Sequence, residues 1–133
     1  MTEIVQGQDA PKVSLLVVED DKFYANIYRV KFTKEGYDIR LAGDGDEALK
    51  MARERKPDLI LLDLIMPKKD GFETLRELKA DTNLKDIRVI VFSNLSQDED
   101  IKRVKDAGAF DYIVKANISL QDMVARVKGY VAQ

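Results

Sequence analysis

The sequence predicts an α/β fold, a parallel sheet of five strands with helices on both faces. Two observations carry the prediction. Short apolar runs alternate five times with amphipathic stretches, at roughly 24 residues per unit, which is the rhythm of repeated βα units. Most of the runs are continuously apolar, as strands buried on both faces are. A third observation bears on function: acidic and other chemically useful residues fall where these runs end.

The first run, residues 15–18, is Leu-Leu-Val-Val and leads into Glu19-Asp20-Asp21. A helix is expected over residues 21–35, where Tyr24, Ile27, Tyr28 and Phe32 recur at three- and four-residue steps and Gly36 supplies a stop. Asp21 is placed to cap it. Residues 37–41 behave differently, because Tyr37, Ile39 and Leu41 alternate with Asp38 and Arg40, the pattern of a half-buried edge strand. A second helix over residues 46–55 ends before Pro57. The third strand, residues 59–62, runs straight into Asp63, and a third helix over 72–81 follows Gly71. Residues 89–92 form the fourth strand and end at Ser93. The fourth helix, 97–107, is expected to start from a capping box of Ser96 and Glu99 and to stop at Gly108. The fifth strand, 112–114, ends at Lys115, and the last helix, 120–131, follows Ser119 with Asp122 in the same capping relation.

Composition narrows the chemistry. The 133 residues suffice for one domain, here expected over 13–133, behind a loose polar extension over 1–12 that contains Gly7 and Pro11. No effector module is expected after the last helix. There is no cysteine and no histidine, which excludes thiol chemistry, Cys/His zinc sites and a Ser-His-Asp triad. A net charge of −2 with 35% charged residues gives no sign of direct nucleic-acid binding, which favours a basic surface. No apolar run approaches the ~20 residues that span a bilayer, and the N-terminus lacks a signal-peptide pattern. No membrane insertion and a cytoplasmic location are therefore expected.

Open parallel sheets bind ligands beyond the carboxyl ends of their strands. Those ends carry Glu19, Asp20 and Asp21, then Asp63, Ser93 and Lys115; the second strand leads only to Gly43. Carboxylates brought together repel one another unless a cation sits among them. Oxygen ligands without His or Cys suit Mg²⁺. A carboxylate beside Mg²⁺, with a lysine and a hydroxyl nearby, fits phosphoryl transfer to that carboxylate. Taken singly, each residue has an ordinary structural role: Asp21 as a cap, Asp63 as a turn residue, Ser93 as a strand-end hydroxyl, Lys115 as a solvated charge.

Four stretches, LLVVEDD (15–21), LILLDLIMPKKDG (59–71), VIVFSN (89–94) and YIVK (112–115), together resemble the receiver domain of two-component response regulators. The resemblance covers about residues 13–132. It implies a flavodoxin-like sheet of order 2-1-3-4-5. It implies that Asp63 accepts a phosphoryl group from a histidine kinase or a phosphorelay protein. Asp20 and Asp63 are then direct Mg²⁺ ligands, with Glu19 as the other member of the acidic pair and the backbone carbonyl of Ile65 completing the protein's share. Lys115 binds a phosphoryl oxygen, Ser93 turns toward the phosphate, and Tyr112 follows by swinging toward the core. Such a protein assists only its own phosphorylation and dephosphorylation and signals to a downstream protein, unknown here. It can also dimerise through helix 4, strand 5 and helix 5, where Lys102, Asp106, Asp111 and Arg126 lie.

The sequence departs from the family pattern at three places. Ala116 replaces the usual proline after Lys115; a cis bond to alanine costs ~3–4 kcal/mol against ~0.5–1 for proline, so the loop is either trans or strained. Asn94 follows Ser93 where a small residue is usual. Ile65 sets an apolar side chain beside Asp63, which predicts slow self-dephosphorylation. Three other readings share part of this pattern. A non-phosphorylated pseudo-receiver scaffold would share the fold. A phosphohydrolase with an aspartyl nucleophile would carry an acid at position 65. A flavin-binding module would carry a phosphate-cradling loop after the first strand, where acids stand instead.

Overall fold

The computed structural model describes residues 12–132. The expected extension over 1–12 lies outside the described residues except for Lys12. The strands are β1 (Ser14–Val18), β2 (Asp38–Ala42), β3 (Leu59–Leu62), β4 (Arg88–Ser93) and β5 (Asp111–Val114). The helices are α1 (Lys22–Lys34), α2 (Gly45–Glu54), α3 (Gly71–Ala80), α4 (Asp98–Asp106) and α5 (Leu120–Val131), with a 3₁₀ turn over Lys115–Asn117. All strand pairings are parallel, in the order β2-β1-β3-β4-β5.

Alternation along the strands divides the core into two layers. Leu15, Val17, Leu59, Leu61, Ile90 and Phe92 pack with Tyr28 and Phe32 of α1 and with Met123, Val124 and Val127 of α5. Leu16, Val18, Ile60, Leu62, Val89 and Val91 pack with α2, α3 and α4 through Leu49, Leu75 and Val104. The central strands are buried on both faces, and this is the reason their sequences read as unbroken apolar runs.

β2 is an edge strand, as its pattern predicts, but its polar residues are not turned fully to water. Arg40 is half-buried. Its guanidinium donates to the carbonyl of Met51 at 3.0 Å and to that of Arg55 at 2.5 Å, at the end of α2. Asp38 pairs with Arg55 at 2.7 Å.

Helix ends follow local chemistry. Asp21 caps α1, accepting from the N–H of Phe23 at 2.9 Å. Asp44 and Asp70 cap α2 and α3, and Ser119 Oγ accepts from Asp122 N at 3.0 Å. Gly36 (φ +93°) and Gly108 (φ +108°) reverse the chain after α1 and α4. The expected cap at Ser96 is a correction: the N-cap of α4 is Gln97, with no side-chain hydrogen bond. Asp98, Glu99 and Asp100 fill the first turn instead, so the helix start is served by carboxylate charge rather than by a hydroxyl.

Candidate functional site at the carboxyl edge of the sheet

The register that buries the central strands also sets their last residues side by side. Val18 pairs with Leu62. The chain stays extended one residue further on both strands, with Glu19 N donating to Ala42 O at 2.9 Å and Asp63 N to Val18 O at 3.1 Å. Glu19 and Asp63 are thereby held at the sheet edge, 4% and 6% exposed. Asp20 is exposed beside them. Each of the three offers a carboxylate oxygen, and these atoms lie within 4.8 Å of one another.

Lys115 reaches the acids from the first position after β5. Its Nζ lies 2.6 Å from Glu19 Oε1 and 3.2 Å from Asp63 Oδ2. Burial works against the ammonium, but the two carboxylates outweigh it and hold the Lys115 pKa above the ordinary lysine value. Burial pushes the Glu19 carboxyl up, and the charge of Asp63 adds to that rise while Lys115 opposes it. Tyr28 behind the site is pushed up to about 12, chiefly by burial.

The turn after Asp63 is pinned by close backbone packing. Gly71 N donates to Leu64 O at 2.9 Å, and a Cβ at Gly71 would stand 2.3 Å from the carbonyl oxygen of Asp63. Gly45 packs against the same loop, where a Cβ would meet the Lys69 carbonyl oxygen at 2.8 Å, and against α3, where it would meet Thr74 Oγ1 at 2.0 Å. Lys69 ties the loop to α2 through Asp46 at 3.2 Å and to α3 through Glu77. Lys68 adopts a left-handed conformation (φ +63°) at the loop's tip. Ile65 N donates to Asp63 Oδ1 at 3.4 Å, while its side chain is 60% exposed.

Ser93 and Tyr112 converge on one backbone segment. Leu95 N donates to Ser93 Oγ at 3.2 Å, and Tyr112 OH donates to Leu95 O at 2.6 Å. Ser93 is fully buried and Tyr112 is 8% exposed. Tyr112 is thereby turned into the core, its hydroxyl held at the Leu95 carbonyl. The Lys115–Ala116 bond is trans, since no peptide bond among the described residues is cis, and the 3₁₀ turn accommodates alanine there without strain. Asn94 is exposed and lines a groove of about 550 Å³ with Tyr24, Tyr28, Lys115, Ala116 and Met123.

Glu19, Asp20, Asp63, Ser93 and Lys115 therefore lie at one edge of the sheet, whereas Lys102, Asp106, Asp111 and Arg126 lie on α4, β5 and α5. Two neighbours at that edge were not foreseen. Lys115 Nζ sits 4.7 Å from the ring centroid of Phe92, and Tyr28 meets Phe92 edge to face at 5.4 Å. An aromatic in an apolar run carries no local signal of such a contact.

The family model described as "Response regulator receiver domain" matches residues 15–128. The DNA-binding dual master transcriptional regulator RpaA of Synechocystis sp. is 35% identical over 114 residues, covering 86% of this chain and 47% of that protein. The chain spans about half the length of the curated relatives it matches. The receiver domain of the Francisella response regulator 1452 superposes with a TM-score of 0.83 at 30% identity, covering 91% of this chain and 98% of that one. The Mn²⁺-bound form of response regulator Rcp1 gives a TM-score of 0.76 at 30% identity, with 90% and 91% coverage.

Proposed function

The chain belongs to the response regulator receiver domain family, and from that premise we propose that Asp63 accepts a phosphoryl group from a histidine kinase or a phosphorelay protein. Receiver domains are signalling modules rather than enzymes acting on separate substrates, and the aspartyl phosphate would switch a protein-interaction face. The observation that carries the reading is the convergence of Glu19, Asp20 and Asp63 with the ammonium of Lys115.

In the transfer, an oxygen of Asp63 bonds to phosphorus as the donor's P–N bond breaks, and the departing imidazole keeps its electron pair. The donor histidine lies outside these 133 residues, which contain none. Lys115 holds a phosphoryl oxygen and offsets its charge. Ser93 takes a second one after rotating from its bond with Leu95 N.

The donor set fits a hard divalent cation, being all carboxylate and closely grouped. Asp20 and Asp63 would hold Mg²⁺ directly, with Glu19 in support and the backbone carbonyl of Ile65 as a further ligand. Mg²⁺ bound there supplies neutralising charge for the transferring group. Ile65 shields the acyl phosphate from water and makes its hydrolysis slow.

The output face is α4, β5 and α5. On it Lys102 pairs with Asp106 at 2.6 Å and Arg126 with Asp111 at 2.8 Å, within the one chain. A downstream protein or a second copy that uses these charges has to exchange those pairs. No helix among the described residues is long and apolar enough to cross a membrane.

Incubation with acetyl phosphate and Mg²⁺, beside Asp63→Asn, tests the reading by mass. A Mg²⁺-dependent phosphoryl adduct in the native chain alone supports it. No adduct with acetyl phosphate or with a histidine-kinase donor would leave the pseudo-receiver scaffold as the function.

A further inference from the structure

We propose that Phe92 and Tyr28 are positioning residues for Lys115. The ring of Phe92, steadied edge-on by Tyr28, holds the ammonium over its face and aims it at Asp63. The kinetic consequence rests on the reading of Asp63 as phosphoacceptor; the positioning itself does not.

Lysine is a poor choice for a fixed charge, because its ammonium ends a flexible four-carbon stem. The chain around Lys115 does little to restrain it. The residue begins a 3₁₀ turn, and the next residue, Ala116, is exposed and brings no ring to lock the bond. The two carboxylates fix the ammonium only on their own side, and they compete, since Glu19 holds it closer than Asp63 does. A contact from another direction determines where the charge rests.

Phe92 makes that contact. It immediately precedes Ser93 on β4, is fully buried, and faces α1 and α5. Lys115 Nζ lies 4.7 Å from its ring centroid, within the range where the π face attracts a cation. The Phe92 ring is in turn oriented by Tyr28 of α1, with centroids 5.4 Å apart and planes at 76°. The Lys115 side chain is 19% exposed, so water weakens the attraction less than at an open surface. The aromatic contact also differs in kind from the ion pairs. A divalent cation or a phosphoryl group engaging Glu19 and Asp63 changes what those carboxylates offer the lysine, whereas the ring quadrupole is not competed for by either. Phe92 therefore keeps the ammonium in place while its other partners change.

A purely packing role for Phe92 predicts stability effects and nothing at the lysine. The Lys115 ε-methylene resonances, read by NMR in the native protein, separate the two. They are expected upfield of the other lysines through the ring current of Phe92. Phe92→Leu is expected to return them to the ordinary position, and Tyr28→Phe, which keeps the ring, to leave them shifted. With acetyl phosphate and Mg²⁺, Phe92→Leu is expected to lower the maximal phosphorylation rate about three- to tenfold, with the half-saturating donor concentration nearly unchanged. Tyr28→Leu should lower the same rate by less.

Unshifted ε-methylene resonances in the native protein overturn the proposal, as does a native maximal rate in folded Phe92→Leu. If Phe92→Leu does not fold, the native resonances and Tyr28→Leu decide. If the native chain takes up no phosphoryl group, the phosphoacceptor reading fails while the ring-current result still judges the positioning.

Discussion

The ammonium of Lys115 lies closer to Glu19 Oε1, at 2.6 Å, than to Asp63 Oδ2, at 3.2 Å. One lysine thus bridges two buried carboxylates that come from adjacent strands. It acts as an internal counterion for a pair that would otherwise repel.

Removing that counterion should destabilise the fold and raise its dependence on metal. Lys115→Ala is expected to cost about 2 kcal/mol, below the usual penalty for a broken buried pair because the lysine is partly hydrated. Mg²⁺ should restore more stability to Lys115→Ala than to the native chain. Urea unfolding of both, with and without Mg²⁺, measures this.

Gly71→Ala should be among the most damaging single-methyl changes. Its Cβ would stand 2.3 Å from the Asp63 carbonyl oxygen and 2.6 Å from Leu64 Cα, both backbone atoms. The loss expected is about 3 kcal/mol or more, read by denaturant unfolding. Phosphoryl uptake should fall with it, because the displaced backbone carries Asp63.

Tyr112→Phe keeps the ring and deletes the hydroxyl that donates to Leu95 O. The expected cost is about 1 kcal/mol, again from unfolding curves. The rate of phosphorylation should stay near native, since the Tyr112 hydroxyl is engaged with Leu95 O rather than with a carboxylate.

Ile65→Asn should shorten the lifetime of the phosphorylated form. The Ile65 side chain is exposed beside Asp63, and a polar group there can hold a water near the acyl phosphate. Decay of the adduct, followed by mass after the donor is removed, gives both lifetimes. Equal decay in the two proteins would remove the shielding role.

Asp111 predicts the acid limb of stability. Burial tends to raise its pKa, but hydrogen bonds from Tyr130, the Tyr112 N–H and Arg126 outweigh it and hold the value below that of ordinary aspartate. A depressed folded pKa stabilises fully above the unfolded value of about 3.9. The contribution is lost as pH falls through the lower folded value. Asp111→Asn should therefore cost about 1 kcal/mol near neutral pH, and the gap from native should close below about pH 4.

The sequence by itself determined the five βα units, the edge character of β2 and the residues at the strand ends. Those features follow from local causes. Continuous apolar runs mark strands covered on both faces, and Gly36 and Gly108 stop helices where the chain must turn left-handed. Ser96 misled because a capping pattern competes with its neighbours, and Asp98 to Asp100 served the helix start instead. The family's motifs brought Asp63, Ser93 and Lys115 into one expected site; the geometry sets Lys115 3.2 Å from Asp63 and leaves Ser93 at the end of β4, bonded to Leu95 N. Only the tertiary structure decided how Lys115 divides itself between Glu19 and Asp63, that Tyr112 rests inward on Leu95, and that Phe92 lies beneath the ammonium. Each is a contact between residues far apart in the chain, set by strand register and helix docking, and no local pattern encodes it.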